Sequence, residues 1–167
     1  MLVLYFVLIA FVVAVDQFLK NLVVRVVGIG MKPLTVIEDF FYISCHRNSG
    51  AAWGILKDGR LFFLILTPIL LAAMLILMIR LKEVLPRLAL AFIIGGAIGN
   101  FIDRLLVGSV VDFLDFYIFG YNFPTFNAAD SSIVLGAALL IVFSFRTVKV
   151  TDKAKDMGDS PDNGSID

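Results

Sequence analysis

Residues 61–79 read LFFLILTPILLAAMLILMI, nineteen positions without one charged side chain. A helix crossing the hydrocarbon of a bilayer takes about 20 mostly apolar residues, so this run reads as a membrane span. Pro68 inside it is tolerated, because neighbouring groups can satisfy the backbone carbonyl it frees. Three more runs obey the same rule, at about 2–19, 88–104 and 131–147. The chain of 167 residues is 60% apolar, with a mean hydropathy of +0.96, more apolar than a soluble domain of this size can be. The first run lacks the basic segment that opens a secretory signal, so it is expected to remain as a span. The predicted fold class is an all-α membrane protein of four transmembrane helices, with a small extracytoplasmic β platform between helices 1 and 2. Residues 1–150 form the membrane domain. Residues 151–167, acidic and nearly free of aliphatic side chains, are expected to be a disordered polar tail.

The platform is read from 22–60, too long for a simple turn. Thr35-Val36-Ile37 and Phe40-Phe41-Tyr42-Ile43-Ser44 are β-branched and aromatic, as strands are. A second stretch, 108–127, is read as an aromatic connection lying at the membrane interface, with 113–126 a candidate lid. Four spans put both termini on one side. Seven Lys and Arg fall on each side of the membrane, so the positive-inside count ties; the dense 80–87 loop tips the reading toward cytoplasmic termini.

Composition excludes several function classes. Formal net charge is zero, and no basic field suggests nucleic acid. One cysteine, Cys45, and one histidine, His46, rule out an internal disulfide framework and argue against a zinc site. No metal and no cofactor are expected.

What remains is a set of carboxylates at the ends of apolar runs, where ionisable groups are costly and are functional-site hypotheses by default. Asp16 and Lys20 stand one helical turn apart and can pair; a helix-end ion pair with Lys20 snorkelling to the interface is as good a reading as a functional one. Arg47-Asn48-Ser49-Gly50 reads as a turn whose small residues let a backbone approach a ligand. Asn100, Asp103 and Arg104 share a helix face, and Arg104 beside Asp103 suits a structural ion pair. Asp112 stands in Val110-Val111-Asp112-Phe113 with no cation adjacent, so desolvation should raise its pKa. Asp130 opens the last span, where an N-cap is the plain alternative, and Asn127 could steady it. Asp115 reads as a loop charge.

Taken together, these blocks resemble the lipoprotein signal peptidase (signal peptidase II) family of bacterial membrane aspartic proteases. The resemblance rests on Asp16-Gln17-x-x-Lys20, Arg47-Asn48-Ser49-Gly50-Ala51-Ala52, Gly95-Gly96-Ala97-x-Gly99-Asn100-x-x-Asp103-Arg104, Val110-Val111-Asp112-Phe113 and Phe123-Pro124-x-Phe126-Asn127-x-Ala129-Asp130-Ser131. Each block alone is weak; their order and spacing across about 5–145 are specific. The resemblance implies an endopeptidase of the bacterial inner membrane, both termini cytoplasmic and its site near the outer leaflet. It implies removal of the signal peptide from diacylglyceryl-modified prolipoproteins before the lipidated cysteine, by a monomer acting on membrane-held substrate. The catalytic pair would be Asp112 and Asp130. Asp16, Lys20, Asn48, Gly50, Asn100, Asp103, Arg104, Asn127 and Ala129 would support the site or bind substrate. Asp103 is the rival partner for Asp130. Two other classes fit the composition: a proton-coupled transporter, since intramembrane acids also relay protons, and an adaptor whose acids only cap helices.

Overall fold

The computed structural model describes residues 2–50 and 59–158, with side chains described to residue 146. The described residues form four helices and four strands, in the order α1 Leu2–Val26, β1 Leu34–Ile37, β2 Phe41–Asn48, α2 Arg60–Arg80, α3 Val84–Leu106, β3 Val110–Ile118, β4 Tyr121–Asn122 and α4 Ala128–Gly158. All four helices are long and apolar enough to cross a membrane, as the sequence led us to expect.

α3 is the central helix: half of its span is buried, against 6% for α2, which presents apolar side chains outward. The reason lies in its small residues. A Cβ on Gly96 would collide with the Ala129 carbonyl oxygen of α4. A Cβ on Gly99 would come within 2.5 Å of Asp16 Oδ2 on α1. Without a driving force to separate from lipid, membrane helices associate through such close packing. Tyr5 and Ile9 of α1, Met78 of α2 and Leu90, Ala91 and Ile94 of α3 fill one apolar core.

α1 runs seven residues beyond the predicted end at 19. Lys20 does not snorkel. It is 3% exposed, because the bundle supplies buried partners and the charge need not reach water.

The strand platform exists, but is larger than expected and drawn from both connections. The sheet order is β1-β2-β3-β4, antiparallel throughout. The stretch read as an interfacial connection is therefore corrected: β3 is an inner strand, paired with β2 through Phe41↔Phe116, Tyr42↔Asp115 and His46↔Asp112. Phe116 stacks on Phe41 at 4.5 Å, so these aromatics cross-link strands rather than only edging a membrane. A second core joins the sheet to the bundle, where Val23 of α1 meets Cys45, Val111 and Phe113.

α4 also differs from expectation. It continues to Gly158, into the stretch read as a disordered tail. Adding residues to an existing helix is cheap once nucleation is done, and Lys, Ala and Met are good helix formers. Residues 159–167 of that expected tail lie outside the described residues.

Candidate active site

The carboxylates are carried to one place by three different elements. Asp112 points from β3, Asp130 from the first turn of α4, and Asn100 from the last turns of α3. Asp112 and Asp130 both line a cavity of about 730 Å³, with Asn48, Gly50, Asn100 and Arg104 also on its wall.

Asn127 links the pair. Its side-chain amide donates to Asp112 Oδ1 at 2.7 Å. Its Oδ1 accepts the Asp130 backbone N–H at 3.0 Å, and its own backbone N–H donates to Asp130 Oδ2 at 3.3 Å. This is a reciprocal capping arrangement. The N-cap of α4 is thus Asn127, and Asp130 returns the bond from the third helical position; this corrects the alternative in which Asp130 itself caps. The other oxygens are also held. Asn100 Nδ2 donates to Asp130 Oδ1 at 2.8 Å, and Asn48 Nδ2 donates to Asp112 Oδ2 at 2.9 Å. The Gly50 N–H fixes Asn48 in turn, donating to its Oδ1 at 2.9 Å.

Asp112 is 3% exposed. Burial raises its pKa from the usual carboxylate value to about 6, and nearby Asp130 adds to the rise while the bonds from Asn48 and Asn127 oppose it.

Behind this wall lies a buried ion cluster. Lys20 Nζ meets Asp16 Oδ2 at 2.8 Å and Asp103 Oδ2 at 2.9 Å. It also donates to Asn100 Oδ1 at 3.0 Å, which orients the Asn100 amide toward Asp130. Asp16 Oδ1 accepts the Ala129 N–H at 2.9 Å, tying α1 to the start of α4. Asp103 does pair with a cation, but with Lys20 and not with the adjacent Arg104. Arg104 turns the other way, donating to the Gly50 carbonyl at 2.9 Å and lying over the Phe63 ring at 4.3 Å. Asp103 is not on the cavity wall.

Sequence reasoning missed Gln17 as a site residue. Its amide donates to Asp103 Oδ1 at 2.9 Å and the Gly99 carbonyl at 3.1 Å. Its place beside Asp16 was the available signal. Asp115 was misread: it is 5% exposed, and its position three residues from Asp112 puts it on the opposite face of β3. Ala51 and Ala52, quoted with the Asn48 block, lie outside the described residues. The described residues hold no group of three or more His, Cys, Asp or Glu placed to bind a metal ion.

Comparison with known proteins identifies the family of the chain. A lipoprotein signal peptidase of Brevibacillus brevis (strain 47 / JCM 6285 / NBRC 100599) is 44% identical over 143 residues, spanning 84% of this chain and 94% of the relative. A bacterial membrane enzyme solved in meso at 2.3 Å superposes with a TM-score of 0.78 at 41% identity, over 86% of this chain and 88% of that one. Another, solved in meso at 1.9 Å, gives 0.75 at 44% identity, over 83% and 90%. The family model described as signal peptidase (SPase) II matches residues 8–146, nearly the whole bundle and sheet. The chain therefore belongs to the signal peptidase II family and is a multi-pass membrane peptidase.

Proposed function

We propose that this protein removes the signal peptide from diacylglyceryl-modified prolipoproteins, cutting before the lipidated cysteine, with Asp112 and Asp130 as the catalytic pair. The observation that carries this reading is Asn127, bonded to Asp112 through its side chain and to Asp130 through both side chain and backbone. Two carboxylates tied to one residue on one cavity wall are the equipment of an aspartic peptidase.

Two adjacent acids do not both ionise readily, so the pair holds one proton over a range of pH. Asp112, the more buried of the two, carries that proton. Asp130, ionised, takes a proton from a water between them. The water oxygen bonds to the scissile carbonyl carbon, and the Asp112 proton passes to the carbonyl oxygen. Collapse of the tetrahedral intermediate breaks the C–N bond: the proton gained by Asp130 goes to the leaving amine, and one hydroxyl of the intermediate returns its proton to Asp112 as the carbonyl re-forms. Neither step requires a covalent enzyme intermediate or a metal ion.

The substrate's two acyl chains hold it in the bilayer, each buried CH₂ contributing about 0.8 kcal/mol. The enzyme must bring water to the lipid, and a cavity that sets Asn48, Asn100, Arg104 and the two carboxylates among apolar side chains does so. Cytoplasmic termini and a site toward the outer leaflet fit four spans and the dense basic 80–87 loop.

The test is cleavage of a diacylglyceryl-modified prolipoprotein by the purified protein in lipid. Asp112→Asn and Asp130→Asn should each lose about 10²–10⁴-fold or more in turnover while remaining folded. EDTA should leave the wild-type rate unchanged. Near-normal cleavage by Asp112→Asn alongside a dead Asp103→Asn would transfer the role to Asp103. Proton flux in proteoliposomes without cleavage would favour a transporter.

A further inference from the structure

The sheet has a second cavity, on the face turned away from the peptidase site, of about 520 Å³. Lys32, Asp39, Tyr42, Asp115 and Tyr117 line it. Asp115 is the informative member. It is 5% exposed, yet its Oδ1 is buried with no hydrogen-bond partner. A buried carboxylate oxygen without a hydrogen-bond partner is costly and calls for a compensating group. Burial pushes its pKa up, and His46 draws it only partly back.

The surroundings specify what that group is. The rings of Tyr42 and Tyr117 meet edge to face at 5.4 Å. Their hydroxyl oxygens are pinned by N–H donors, from the Asp39 backbone at 2.9 Å and from Asn122 Nδ2 at 3.0 Å. Fixed aromatic walls with carboxylates beside them favour an organic cation, through ring faces and charge together. A metal ion does not fit, since no group of three acidic, His or Cys ligands gathers among the described residues. Lys32 supplies one positive charge on the same wall, which suits a phosphate. Phe119, next to the lining Gly120, is fully exposed, and Met31, next to Lys32, is 66% exposed. Apolar side chains bordering a cavity that holds charged groups suit a molecule with acyl chains.

We propose that this cavity is a binding site for the headgroup of a zwitterionic aminophospholipid, its ammonium on Asp115 beside the paired tyrosines and its phosphate on Lys32. The site is separate from the dyad and does not depend on the peptidase reading.

The experiment is native mass spectrometry of the full chain extracted from membranes holding equal phosphatidylethanolamine and phosphatidylglycerol. Wild type should retain phosphatidylethanolamine several-fold over phosphatidylglycerol. Asp115→Asn should abolish that preference with its melting temperature kept. Asp39→Asn, a change at an exposed position, should weaken it, so the proposal stays testable should Asp115→Asn fold poorly. Equal retention by wild type, or an undiminished preference in a folded Asp115→Asn, overturns the assignment. So does capture of a lysine-rich peptide in place of lipid, lost on the same substitution, which would give the cavity to a protein partner.

Discussion

Asp112 sets up a conflict between folding and chemistry that is measurable at one residue. Its pKa is raised to about 6 from 3.8, so the folded state binds its proton more tightly than the unfolded state does. The sign follows from linkage: stability from this group is full below about pH 4, falls as pH rises toward 6, and is flat above. At about 1.4 kcal/mol per unit the loss is up to ~3 kcal/mol. Asp112→Asn should thus melt higher than wild type at pH 7 and lose that advantage near pH 4. A constant difference across the range would mean burial is not what perturbs the group. Legibility at this scale was uneven. Asp112, Asp130 and Asn127 were readable because each stands in a recognisable block. Asp115 was not, since a strand places residues three apart on opposite faces and the sequence had been read there without a strand.

At the scale of elements, the helices were legible because lipid imposes a length and an apolarity that few other sequences meet. β3 was not. Its residues, VVDFLDFYI, carry the β-branched and aromatic enrichment of a strand. They lack its apolar–polar alternation, because both faces of β3 are enclosed, one by the core that Val111 and Phe113 share with Val23 of α1 and one by the peptidase site that holds Asp112. The helix contacts make a sharper prediction. A Cβ on Gly96 meets the Ala129 carbonyl one residue before Asp130, and a Cβ on Gly136 meets the Ala89 carbonyl at 2.5 Å, farther along α4. Each Gly→Ala change should cost about 1–3 kcal/mol by overpacking. Gly96→Ala should also lower turnover of the folded fraction, by shifting Asp130. Gly136→Ala should lower melting temperature and leave turnover of the folded fraction nearly intact. Equal kinetic damage from both would show that α4 moves as a rigid rod.

Across the whole molecule, the buried cluster of Asp16, Lys20 and Asp103 fastens α1, α3 and α4 around one ammonium group. Its members were visible in the sequence as an i,i+4 pair and a separate acid; their meeting was not, because 83 positions of chain separate Lys20 from Asp103. Removing one partner of a buried ionic group leaves the others uncompensated, at about 3–5 kcal/mol. Lys20→Met should therefore reduce the yield of monodisperse protein in detergent more than Asp112→Asn does. The double change Asp16→Asn with Lys20→Met should recover part of that yield without recovering activity, since Asn100 loses the donor that orients it. No recovery would place the damage in packing and not in charge.

Cys45, on β2 against Val23 of α1 and Val111 and Phe113 of β3, is 1% exposed and is the chain's one thiol. Burial pushes its pKa up, and thiolate is the reactive form. The molecule accordingly carries its own reporter. A maleimide cannot modify it until the seam between sheet and bundle opens, so the labelling rate of wild type measures how often the platform lifts from the membrane helices. Substrate spanning both parts should slow that rate, and an unchanged rate would show that the platform stays closed throughout the catalytic cycle.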